Sequence, residues 1–195
     1  MTASAKGATV RGTLSYIERL AGREGVDRVL AGLSPADAEA LRDVQPTDDV
    51  PYARVVELWE AADQYLSTEH EDWAERAGAY SIESLGMQLY GGILRKPTPT
   101  DFLTQSVSLF RLFYSPGDMT VVHEEPATAV LRLVGFDPLT PVFCRRQVGG
   151  LGRALELAGG ESPHVRHVRC TLLGDAFCEW EMRWTDRDVR AESRS

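Results

Sequence analysis

Lysine is nearly absent from this chain. Lys6 and Lys96 are the only two in 195 residues, and 29 acidic residues against 21 basic ones leave a formal net charge of −8. Phosphate backbones and anionic membrane surfaces are held by clustered Lys and Arg, so nucleic acid is not an expected partner. No apolar run approaches the roughly 18 residues of a membrane helix. The N-terminus also lacks a charged region followed by an apolar core. The expectation is a cytoplasmic protein without membrane insertion. Cysteine is scarce as well, confined to Cys144, Cys170 and Cys178. An odd number in a reducing compartment argues for thiols or metal ligands over a disulfide framework. No nucleophile–base pair and no paired carboxylates stand out, so catalysis is the least favoured class.

What is present is an ordinary globular composition, 43% hydrophobic and 26% charged. Leu14, Ile17 and Leu20 share a helical stripe that Gly22 ends, and Val26, Val29, Leu30 and Leu33 make another. Ser34-Pro35 opens a third helix to about Arg42. After a proline-bounded loop, Val55, Leu58, Trp59, Ala62 and Leu66 line one face of a fourth. A helix from His70 through Tyr90 follows, with Gly78 and Gly86 marking close packing. Thr100-Asp101 caps an aromatic helix carrying Phe102, Phe110 and Phe113.

Strands then take over. Met119–His123 reads as one, and Ala129, Leu131 and Leu133 alternate with polar neighbours in a second. Thr140-Pro141 starts a long helix through Cys144 to Leu157, whose Gly149, Gly150 and Gly152 read as close packing on the sheet rather than a phosphate loop. His164–Leu173 and Phe177–Thr185 close the domain, with Cys178, Trp180, Met182 and Trp184 on the apolar face.

Polarity matching across the last hairpin sets Cys170 opposite Cys178 and Val168 opposite Trp180, which brings the two cysteine Cβ atoms to roughly 4.5–5.5 Å. Three readings stay open: small buried hydrophobes, a zinc site, or a Cys170–Cys178 disulfide. For zinc, the fourth ligand is His164 or His167. On a regular strand His164 shares the face of Cys170, whereas His167 needs a bulge to reach it. His123-Glu124-Glu125 reads as a solvated turn. With His70, His123, His164 and His167 as the only histidines, haem is not expected, because it needs an axial ligand on a pocket wall.

The helix with Cys144, then His164-Val-Arg-His-Val-Arg-Cys170, Gly174-Asp175 and Cys178-Glu-Trp-Glu-Met-Arg-Trp184, resembles the 4-vinyl reductase type domain. That resemblance implies a small-molecule-binding module, related in fold to haem nitric-oxide-binding domains and vesicle-tethering particle subunits. It also implies a zinc held by Cys144, Cys170 and Cys178, with His167 where the family has a glutamate. The whole chain is similar to a paralogous family of myxobacterial proteins, from which no activity follows.

Together these readings predict an α+β fold, an N-terminal helical bundle packed on a four-stranded, mainly antiparallel sheet with a long inserted helix. A single domain is expected over residues 9–185, mainly helical over 9–114 and sheet plus helix over 115–185, with flexible tails at 1–8 and 186–195. The expected function is a non-catalytic sensory or regulatory module for a small hydrophobic or aromatic molecule, with Phe102, Phe110 and Tyr90 as pocket walls and a structural zinc. The alternative is a protein-interaction scaffold forming a homodimer through a helical face.

Overall fold

Prolines, glycines and hydroxyl caps cut the first part of the chain into helices, which a computed structural model describing residues 2–94 and 98–186 makes explicit. β1 (Ser4–Lys6) leads into α1 (Gly7–Ala31), broken at Gly22, whose φ of 70° is left-handed. α2 (Pro35–Asp43) begins as expected, with the Ser34 hydroxyl accepting the Asp37 N–H at 3.1 Å. β2 (Asp49–Pro51) precedes α3 (Tyr52–Leu66), and the predicted face of α3 from Val55 to Leu66 is buried.

The helix expected from His70 to Tyr90 is divided. It consists of α4 (Trp73–Ser81), a π-helical turn (Ile82–Gly86) and α5 (Met87–Leu94). The cap of α6 (Pro99–Phe113) is Thr98 rather than Thr100-Asp101, since Pro99 already holds the helical φ and the Thr98 hydroxyl accepts the Asp101 N–H at 3.1 Å.

β3 (Tyr114–Ser115), β4 (Asp118–Glu125) and β5 (Thr128–Val134) come next, followed by α7 (Pro141–Leu157), β6 (Gly160–Arg169) and β7 (Cys178–Asp186). The main sheet is antiparallel throughout, ordered β4-β5-β7-β6. Its alternation is as read: Ala129, Leu131 and Leu133 are buried opposite Met182, Trp180 and Cys178. Each large apolar side chain so enclosed contributes about 1.5–3 kcal/mol. The predicted α+β architecture therefore holds.

Two expectations change. Within the expected N-terminal tail, Ser4–Lys6 is not loose, because β1 pairs with both β2 and β3 in a second, three-stranded sheet and Ala5 is buried there. The small side chains that looked like a fraying composition permit this approach. A Cβ on Gly7 would stand 2.0 Å from the Gln45 carbonyl oxygen. The α7 glycines, in turn, pack mainly on α4 and not on the sheet: a Cβ on Gly149 would meet the Glu75 carbonyl oxygen at 1.8 Å. At the other end Asp186 closes β7, and the rest of the expected C-terminal tail lies outside the described residues.

Candidate metal centre and ligand cavity

Four side chains meet where the start of α7 reaches the β6–β7 hairpin. Cys144 lies in the first turn of α7, His167 near the end of β6, Cys170 just past it and Cys178 at the head of β7. Their ligand atoms all lie within 4.8 Å of one another, and the Cys144 and Cys170 sulfurs are 4.0 Å apart. Tetrahedral zinc with Zn–S bonds of about 2.3 Å needs sulfurs about 3.8 Å apart. The donor set and spacing thus fit such an ion, and all three cysteines are free and buried.

A bulge is what admits the histidine. His167 pairs with Trp180 and Arg169 with Glu179, so Val168 is the extra residue and both His167 and Cys170 turn inward. Val168 is therefore not opposite Trp180 as the polarity pattern had it. The His167 ring stacks on Trp180 at 4.9 Å, and its Nε2 is buried without a hydrogen-bond partner. His164 faces the other way, exposed and paired with Arg183.

Outer contacts hold the ligands in place. The Cys170 N–H donates to Asp175 Oδ2 at 2.8 Å, and the Thr171 N–H donates to the Cys178 sulfur at 3.4 Å. Trp180 Nε1 donates to the Cys144 carbonyl at 3.3 Å. The hydrogen bond from the Cys144 thiol, helped by His167 and Thr171, pulls the Cys178 thiol down to about 3. Cys144 is pushed up, first by that same hydrogen bond and then by burial, while burial raises Cys170.

A cavity of about 100 Å³ opens on the other side of α7, toward the helices. Phe102 and Phe110 line it; the side chain of Tyr90, also named as a pocket wall, lies outside the described residues. Ile82 of the π-helical turn, Tyr114, Met119 and Arg146 also reach it. Arg146 was the residue sequence reasoning missed. Its signal was present: on α7, Val142, Arg146, Gly150 and Ala154 fall at four-residue steps and all are buried, so a charge interrupts an apolar stripe.

No protein-family model matches this chain, and no curated protein does. The 4-vinyl reductase resemblance is accordingly carried by no family match. Solved structures do match the fold. An H-NOX protein from S. oneidensis in the Fe(II)NO ligation state aligns with a TM-score of 0.71 at 14% identity, over 93% of this chain and 99% of that one. Unliganded Fe(II) H-NOX from K. algicida aligns at 0.70 and 11% identity, over 93% and 97%. An oxygen-binding H-NOX domain related to soluble guanylate cyclases, in its oxygen complex, aligns at 0.67 and 13%, over 93% and 95%.

The expectation against haem is corrected by these neighbours, since proteins of this fold are described in Fe(II), NO and oxygen complexes. Histidine scarcity was too weak a ground to set haem aside. The walls of this cavity give the local answer. Tyr114 and Met119 are side chains of axial-ligand type, but no described histidine lines the cavity, and about 100 Å³ falls below the 300–1,000 Å³ of pockets for larger organic ligands. What the likeness shows is the fold.

Proposed function

We propose that this chain is a sensory or regulatory binding module, non-catalytic, that takes a small apolar or aromatic molecule into the cavity between the helices and α7. The observation that carries this reading is the cavity itself, walled by Phe102, Phe110, Met119, Leu151 and Ala154. The sensing H-NOX proteins that share the fold support it. A zinc ion held by Cys144, His167, Cys170 and Cys178 ties the start of α7 to the last hairpin. In this role the ion is structural: three thiols and an imidazole fill a tetrahedron and leave no position for a reacting water.

Thermal shift with neutral aromatic probes such as benzyl alcohol tests the reading. A dose-dependent rise in Tm, abolished when Ala154→Leu fills the cavity, is the expected result. No shift with any such probe refutes ligand binding at this cavity.

A further inference from the structure

Arg146 is 5% exposed, yet no ion pair reaches it among the described residues. The other arginines of α7 each find a carboxylate: Arg145 pairs with Asp63, and Arg153 with Glu83 and Glu156. Arg146 points inward instead. Its Nη2 donates to the Ser81 hydroxyl at 3.1 Å, its Cζ lies 4.9 Å from the Trp59 ring centroid, and its Nη1 is buried without a partner. The guanidinium is therefore positioned by two neighbours and neutralised by neither.

Leaving an ion buried and uncompensated is among the costlier arrangements a fold can hold. The nearby phenols do not relieve it. Burial raises both Tyr52 and Tyr114, so they stay neutral, and Tyr52 spends its hydroxyl on the Pro138 carbonyl at 2.8 Å. Arg146 lines the same cavity as Phe102, Phe110 and Met119, so one charged side chain borders a largely apolar chamber whose other polar lining, Thr9, Ser81, Tyr114 and Gln147, carries no charge.

We propose that the ligand of this cavity is a small organic anion, a carboxylate on a short apolar or aromatic body, with its charged end paired to the Arg146 guanidinium. This rests on the cavity being a ligand site. It adds the chemical class. A carboxylate accepts from the open Nη1 and supplies the missing counter-charge, and the planar guanidinium fork suits two-point contact. At about 100 Å³ the cavity is smaller than the apolar cavity of about 150 Å³ that holds benzene, so a single ring is the upper limit and needs its walls to give.

Calorimetry and thermal shift with benzoate, its neutral isostere benzamide, benzyl alcohol and inorganic phosphate test the proposal on the full chain. Benzoate is expected to bind at least tenfold more tightly than benzamide, and phosphate, which lacks the apolar body, to give no shift. In Arg146→Met the benzoate-to-benzamide ratio falls to near one. In Arg146→Lys, which keeps the charge and loses the fork, a preference for benzoate survives at reduced strength. That variant carries the test if the Met protein does not fold.

The outcomes separate cleanly. Equal binding of benzoate and benzamide by the unsubstituted protein overturns the anion, while leaving the cavity as a site for neutral molecules. Binding of phosphate as tight as benzoate overturns the organic body. Silence toward every probe, benzyl alcohol included, overturns both this proposal and the function on which it rests.

Discussion

The carbonyl oxygen of Arg146 lies 2.0 Å from the point where a side chain on Gly78 would begin. α4 and α7 therefore cross backbone to backbone, and Gly149 repeats the contact against the Glu75 carbonyl at 1.8 Å. This crossing sets where α7 presents Cys144 to the hairpin and Arg146 to the cavity. Real Cβ atoms do not approach carbonyls this closely, so Gly78→Ala and Gly149→Ala must part the helices. Each is expected to cost about 1–3 kcal/mol or more in urea unfolding. The double variant should cost less than the sum, because both break one contact. Gly91→Ala meets nothing within 4 Å among the described residues and serves as the control.

Zinc should be part of the folded state. Purified protein is expected to carry one equivalent by elemental analysis, and chelation to lower Tm. At a thousandfold excess of metal over Kd the stabilisation is about 4 kcal/mol. Cys144→Ser, Cys178→Ser and His167→Ala each remove one ligand and should lose the ion, whereas His164→Ala, on the outer face, should keep it. Full zinc occupancy in His167→Ala would count against the fourth ligand.

Deleting Val168 tests the bulge. With the extra residue gone, the existing pairs His167–Trp180 and Arg169–Glu179 form a regular ladder, and Cys170 follows inward. The deletion variant should fold and retain zinc. Loss of the ion with an intact circular dichroism spectrum would mean the bulge itself shapes the site.

How much of this was legible beforehand follows from the same residues. β5 and β7 declared themselves because one face is apolar and the other wet, a period of two that local composition displays. The cysteine cluster was half readable. Register brought Cys170 and Cys178 together, but a bulge has no compositional signature, so His167 and His164 could not be told apart. β1 was invisible for another reason. Ser4, Ala5 and Lys6 become a strand only through partners distant in sequence, Val50 and Tyr114 among them. Arg146 left a trace in the stripe of α7, but sequence could not show that its neighbours would leave it unpaired.

On the outer face of the sheet, Glu179 lies between two arginines. Its carboxylate meets Arg132 at 2.7 Å and Arg169 at 3.2 Å, with both guanidinium groups over the Phe177 ring. Three strands are joined through one acid. Because Arg132 and Arg169 are 34% and 55% exposed, solvent screens much of the loss. Glu179→Gln is therefore expected to cost about 1 kcal/mol, less than a fully buried pair would. Chemical denaturation at low and high salt measures it, and an unchanged midpoint would leave the cluster without energetic weight.

The uncompensated charge on Arg146 has its own signature in alkali. Burial lowers its guanidinium from the ordinary arginine range to about 10. Below about 10 the charge is present in both folded and unfolded chains and weighs against the fold. Above about 10 the folded chain releases that proton while the unfolded chain, with an ordinary guanidinium, retains it, so this group makes stability rise with pH. Tyr52 and Tyr114, raised by burial, push the other way in the same range, since the unfolded chain loses their protons first. Comparison with Arg146→Met, which keeps both tyrosines, isolates the arginine. Without ligand, the Met variant should be as stable as the unsubstituted protein or more so at pH 8, as expected when an unpaired buried ion gives way to an apolar side chain of similar length. The gap should narrow as pH rises from 10 toward 12. A Met variant markedly less stable at pH 8, by urea unfolding without ligand, would show that Trp59 and Ser81 already compensate the charge and that the guanidinium is structural.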